Sequence, residues 1–219
     1  MLNKKILALF TFSVLCALFL VGVKVYDSME QEKFETMSKE KTQLFVRDYS
    51  PVFGDKEAKV TLIEFLDPEC ESCRAFYPAV KQLMKFYEGK LKLVVRYAPF
   101  HRNSVHAIKV LEATRKQDKY WESLEILFKY QPMWASHHDP KPEKVFDILP
   151  DVGVDIAKLK EDMKDPKLEE ILKQEVSDLK MLGVRATPTF FVNGRPLEKF
   201  SFDHLRELVD SEVKKFYKE

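Results

Sequence analysis

Glycine is scarce in this chain, with 6 in 219 residues. No Gly-rich phosphate-cradling loop is present. Charge of one sign is also lacking. Lys and Arg total 36 against 35 Asp and Glu, a formal net charge of +1. With no basic excess and no basic run, nucleic acid is excluded as a partner. Cysteine is rare, at 3, too few for a zinc site built from two cysteine pairs. Internal repeats and low-complexity segments are absent. Hydrophobic content of 45% and charged content of 32% describe an ordinary globular chain rather than a disordered one. The length suits one generous domain plus an appendage.

The first segment supplies the appendage. After Lys4 and Lys5 runs "ILALFTFSVLCALFLVGV", residues 6–23, without a charge. A helix of that length spans about 27 Å, close to a bilayer's hydrocarbon core. A signal peptide has the same charged start, but a shorter apolar run that ends in small residues. Here the run ends "LVGVKVYD", a poor cleavage site. Cys16 lacks the small residues before it that lipid processing needs. Residues 1–23 therefore read as an uncleaved membrane anchor, with a cleaved signal as the alternative. Lys4 and Lys5 stay in the cytoplasm, so the rest of the chain faces outward. The expected location is the inner membrane, single-pass, with the bulk of the chain on the periplasmic or extracytoplasmic side. Only Cys70 and Cys73 then lie in an exported region, where disulfides persist.

Residues 24–50 are polar, with apolar positions too irregular for a heptad. They read as a linker or stalk, or as a self-association helix, which leaves oligomeric state open. Residues 51–219 read as the domain proper. "KVTLIEFLD", residues 59–67, is a buried strand bounded by turn signals. From Cys70 the period turns helical through Phe76, Val80, Leu83, Met84 and Tyr87, ending near Gly89. "LKLVVRYAP" from Leu91 is a second strand. Strand, helix and strand in succession form the parallel crossover unit of an α/β fold. Cys70 falls at the carboxyl end of a strand and the first turn of a helix, where function collects in open sheets. A long helical stretch follows, about residues 103–182, broken at "QPMWASHHDPKP". "TPTFFVNGRPLEKF" then reads as a hairpin turning at Asn193-Gly194. A closing amphipathic helix has Ser201 as N-cap and a buried stripe of Leu205, Leu208, Val209, Val213 and Phe216.

"DPECESCRAFYP", residues 67–78, carries the chemistry. A Cys-x-x-Cys pair can be half a metal site, a structural disulfide or a redox pair. The metal reading lacks ligands, since no second cysteine pair exists and His137 and His138 are adjacent rather than three to five apart. A structural bridge closing so short a loop gains little entropy. At a helix start, unpaired N–H groups and the helix dipole favour a thiolate on the first cysteine. Cys70 is thus expected to attack and Cys73, one turn deeper, to resolve the mixed disulfide. No metal and no external cofactor are expected. Trp134, His137 and His138 either line a groove or sit in a plain helix connection. His101 and His106 carry no assigned role.

Three stretches carry a resemblance: "VTLIEFLDPECESC" with Pro78 five residues after Cys73, "GVRATPTFFVNGR", and the helical insertion between them. Over about residues 45–219 the chain resembles the thioredoxin superfamily, and within it the DsbA-like thiol–disulfide oxidoreductases. The resemblance implies a thioredoxin fold with an inserted helical subdomain. It implies a cis Pro188 beside Cys70, leaving the backbone of Thr187 open to an extended substrate peptide. It implies that Glu64 is buried beneath the pair and exchanges a proton with Cys73. It implies exported protein thiols or disulfides as substrates and a membrane redox partner. One departure stands out. Glu71 and Ser72 lie between the cysteines, where DsbA-like oxidases often place Pro and His. With Glu69 and Glu71 read as exposed carboxylates opposing ionisation, the expected Cys70 pKa is roughly 5 to 7. The expected function is oxidation of substrate thiols. The alternatives are a reductase or isomerase fed by a membrane donor, and a tethered peptide-binding module with an inert pair.

Overall fold

The computed structural model describes residues 21, 22, 29, 44–136 and 138–218. Contacts divide the chain into two compact units, Met1–Thr42 and Gln43–Glu219. The second carries a five-stranded sheet. Its strands are β1 (Val52–Phe53), β2 (Val60–Leu66), β3 (Leu91–Tyr97), β4 (Thr189–Val192) and β5 (Arg195–Pro196), in the order β1-β3-β2-β4-β5. β2 and β3 are parallel, with Val60 opposite Leu91 and Leu66 opposite Tyr97. Helix α1 (Glu71–Phe86) joins them, as the apolar spacing requires. β4 lies antiparallel to β2, and the Asn193-Gly194 turn leads into β5.

Both central strands are buried on both faces, so they read as continuous apolar runs. The two-residue period still sorts their side chains. Leu62 and Leu66 of β2, with Val95 and Tyr97 of β3, join the core beneath α1 and the cysteines. Ile63, Phe65 and Val94 face the other way, against Leu179 and Phe191. Glu64 shares parity with Leu62 and Leu66. It is therefore set on the cysteine side. Arg96 shares parity with Val94 and is set on the opposite side.

The insertion consists of α2 (Ser104–Arg115), α3 (Tyr120–Lys129), α4 (Gln131–Trp134), α5 (Val145–Ile148), α6 (Ile156–Asp162) and α7 (Lys167–Leu182), with 3-10 turns flanking α5. These elements run from Ser104 to Leu182. α7 is a full 16-residue helix. Its Glu175 and Asp178 receive Arg96: Nε donates to Glu175 Oε1 at 2.9 Å and Nη2 to Asp178 Oδ2 at 2.6 Å. All three side chains are at most 1% exposed.

Helix α8 (Phe202–Tyr217) closes the chain, with the Ser201 hydroxyl accepting from the His204 N–H at 3.2 Å. Leu205, Val209 and Val213 are buried, but Phe216 is 40% exposed. Tyr217 packs against the core in its place, because the stripe drifts around the helix over three turns.

Residues 44–50, read from sequence as the end of the stalk, pack onto the domain. Phe45 is buried against Phe191, and Arg47 pairs with Asp178. β1, not expected from sequence, follows them and pairs antiparallel with β3. Two residues are too short for a periodic signal. The apolar run 6–23 lies outside the described residues except for Val21 and Gly22. Among the described residues no helix is long and apolar enough to cross a membrane.

Candidate active site

The chain leaves β2 at Leu66 and reaches α1 through a turn, with the Cys70 N–H donating to the Asp67 carbonyl at 3.0 Å. Cys70 is the N-cap residue in extended conformation. Its sulfur therefore faces the first-turn N–H groups of the helix. Cys70 is 6% exposed and Cys73 is fully buried. Both are unbridged thiols, hydrogen-bonded to one another. The accessible sulfur is thus the first and the sheltered one the second.

The two thiols are driven apart in acidity. Cys70 is lowered to about 5. Its hydrogen bond with Cys73 contributes most. Burial opposes ionisation, and bonds from the Thr187 side chain and the backbone N–H groups of Cys73 and Ser72 overcome it. Cys73 is pushed far above the usual thiol range, first by burial, then by its bond to Cys70 and by the charges of Glu64 and Cys70. The Cys70 value lies at the low end of the expected range. One reason for expecting a higher one fails: Glu69 is not an exposed carboxylate. It is 6% exposed and accepts from the Asn103 N–H at 2.6 Å and from Asn103 Nδ2 at 3.0 Å.

Thr187–Pro188 is a cis peptide. The Thr187 carbonyl lies 3.3 Å from Cys70 Sγ, where it accepts a hydrogen bond from the sulfur in its thiol form. The loop before β4 and the start of α1, 117 residues apart in sequence, thus meet at the sulfur. Glu64 is 1% exposed, and neither of its carboxyl oxygens meets a hydrogen-bond partner. Burial first, then the Cys70 charge, raises it to about 8. Glu64 is a buried acid that holds its proton at neutral pH and interacts electrostatically with both cysteines.

Several residues at the site had no assigned role from sequence. Asp67, fully buried, accepts from the N–H groups of Phe100 and His101, from Ser104 Oγ at 2.7 Å and from His101 Nδ1 at 2.7 Å. Gln131 Nε2 donates to the carbonyls of Pro68 at 2.8 Å and Cys70 at 3.0 Å. The usable signal was topological. Parallel neighbouring strands place their following loops side by side, so residues after Leu66 meet residues after Tyr97. Trp134 does not line a groove. It is fully buried and donates to the Leu127 carbonyl at 2.9 Å. His137 lies outside the described residues. Among the described residues no group of three or more His, Cys, Asp or Glu could hold a metal ion.

The family profile described as "Thioredoxin" matches residues 47–211. Disulfide bond formation protein D of Bacillus subtilis is 31% identical over 180 residues, covering 75% of this chain and 77% of the relative. The Na(+)/H(+) antiporter NhaA of Herminiimonas arsenicoxydans is 29% identical over 144 residues, 66% of this chain. The chain spans only 22% of that antiporter's length. A thioredoxin-like oxidoreductase from Silicibacter pomeroyi superposes with a TM-score of 0.68 at 28% identity, covering 78% of this chain and 96% of that one. The chain belongs to the thioredoxin family. Its inserted helices and cysteine pair make it a DsbA-like thiol–disulfide oxidoreductase domain.

Proposed function

We propose that this chain is a membrane-tethered, extracytoplasmic oxidase of protein thiols. The observation that carries the reading is the split between the two cysteines: an ionised, approachable Cys70 and a buried, protonated Cys73. In the oxidised pair, a substrate thiolate attacks Cys70 Sγ. A substrate–Cys70 disulfide forms, the Cys70–Cys73 bond breaks, and Cys73 leaves with the electron pair. Glu64 gives its proton to the departing Cys73 sulfur, which burial would otherwise strand as an anion. The substrate's second thiolate then attacks the substrate sulfur of the mixed disulfide. Cys70 leaves as the stabilised thiolate, the substrate is oxidised, and the pair has gained two electrons. A membrane redox partner removes them. The Thr187 backbone beside Pro188 holds the substrate strand during both attacks. Stabilising the Cys70 thiolate favours the reduced enzyme, which is what makes a dithiol couple oxidising.

The test is the reduction potential of the full-length chain equilibrated with glutathione buffers. A value of about −120 to −180 mV places it with the oxidants. A value near about −250 mV or below overturns the reading in favour of reduction or isomerisation by the same residues. Unreactive Cys70 under alkylation, with no glutathione exchange, leaves a tethered binding module instead.

A further inference from the structure

The Cys70 thiolate stands in an acidic neighbourhood. Asp67 and Glu69 lie within three residues of it, both buried. Each oxygen-bearing head is tied to the turn that follows β3. Glu69 is met by neutral donors from Asn103. Asp67 is met by the N–H groups of Phe100 and His101, by Ser104 Oγ, and by the His101 imidazole at 2.7 Å. Of these partners only His101 can take a positive charge. Its side chain is 30% exposed, so the charge is screened but not lost to bulk water.

We infer that His101, oriented by Asp67, supplies to the Cys70 thiolate the positive charge that Glu71 and Ser72 do not supply between the cysteines. Asp67 fixes the ring by accepting from Nδ1–H, the arrangement in which a carboxylate both orients an imidazole and stabilises its cation. Asp67, from the turn before α1, binds the ring directly, and Glu69 of the same turn and Cys70 at the start of α1 act on it by charge. Burial lowers the His101 pKa, but the Asp67 hydrogen bond, then the charges of Asp67, Cys70 and Glu69, together outweigh this and raise it. Arg102 beside it is exposed. Cys70 itself faces Cys73 and Glu64 as well. His101 thus screens Asp67 from the thiolate and keeps its own cation to higher pH than a free histidine.

The inference rests on reading Cys70 as the attacking sulfur. It is independent of the direction of electron flow. Coupling between two titrating groups is reciprocal. In the wild-type full-length chain, the His101 imidazole followed by NMR should titrate about half a unit or more higher in the reduced protein than in the oxidised one, where no thiolate exists. Equal values in the two states overturn the proposal.

His101→Gln keeps a donor for Asp67 and removes the cation. The midpoint of Cys70 alkylation, resolved from Cys16 and Cys73 by peptide mass, should rise by about half to one unit. His101→Arg should hold it within about 0.2 units of wild type. A rise in His101→Arg as large as in His101→Gln makes the role one of shape rather than charge and also overturns it. A full unit is tenfold in thiolate stability, so the His101→Gln potential should fall by up to about 30 mV. If the wild-type potential proves reductant-like while these shifts appear, the oxidase reading fails and the role of His101 stands.

Discussion

At the residue scale, Glu64 and Cys73 are the groups whose burial does chemical work. An unpaired buried carboxyl disfavours its charged form, so the proton stays on Glu64 to about pH 8. The consequence for stability has a definite sign. The folded-state value lies above the ordinary one of 4.5, so this group's contribution is fully present below about pH 4.5. It is lost as pH rises toward 8, because the unfolded chain releases the proton first. Between pH 4 and 7 the reduced wild-type protein should lose about 3 kcal/mol relative to Glu64→Gln. Urea unfolding of both proteins at the two pH values measures it. Parallel stability profiles would mean that Glu64 is not held neutral. The same variant should slow release of Cys73 in single-turnover exchange with glutathione while leaving the Cys70 alkylation midpoint within about half a unit.

At the scale of elements, the nucleophile is fixed by three pieces of chain that are remote in sequence. The start of α1 carries it, the loop before β4 touches its sulfur, and α4 anchors its carbonyl through Gln131. The short helix α4 matters through that one side chain. Gln131→Leu leaves the Pro68 carbonyl without its side-chain donor and the Cys70 carbonyl with only the Arg74 N–H, and should destabilise the domain by about 2 kcal/mol. Denaturant unfolding checks this, and a change under about 0.5 kcal/mol would show that the carbonyls find other donors. The longer helices were readable because each shows a period, and the central strands because each is an apolar run between turn signals; the four-residue α4 lies where the sequence read as a break. β2, β3, α1, the β4–β5 hairpin and α8 all lie where their apolar spacing puts them. β1 was missed because it has two residues. Phe216 was misassigned because the stripe drifts around the helix, so that Tyr217 meets the core in its place.

At the scale of the molecule, the two sides of the sheet treat buried charge differently. On the cysteine side Glu64 is a buried acid whose carboxyl oxygens meet no hydrogen-bond partner. The opposite side holds Arg96 between Glu175 and Asp178, with Arg47 from the entering segment on the same aspartate. That second cluster clamps α7 and residues 44–50 to the sheet. Arg96→Met removes the shared cation from buried carboxylates and should cost about 3–5 kcal/mol, seen as a large loss in thermal or urea midpoint. The anchor proposed for residues 6–23 belongs to this scale too. The full-length chain should remain in the membrane fraction after alkaline carbonate extraction. Release into the supernatant, with a new N-terminus beyond Val23, would establish the cleaved-signal alternative.

The sequence by itself determined the class of chemistry. A Cys-x-x-Cys at a strand-to-helix junction, with no further ligands for a metal, is a local statement, and local period and spacing are what one chain displays. The family resemblance placed Glu64 beneath the pair, and its apolar neighbours Ile63 and Phe65 agreed with burial. What the tertiary structure alone decided is the electrostatic setting of Cys70. Asp67 meets His101 and Glu69 meets Asn103 across 34 residues, Gln131 reaches Cys70 across 61, and Thr187 across 117. Those meetings depend on which strands are neighbours and in what register, and so on how loops stack at one end of the sheet. A thiolate's stability is a sum over charges and donors within a few ångströms. Sequence distance carries no information about that sum, so Glu69 was read as exposed and His101 as idle until the loops were brought together.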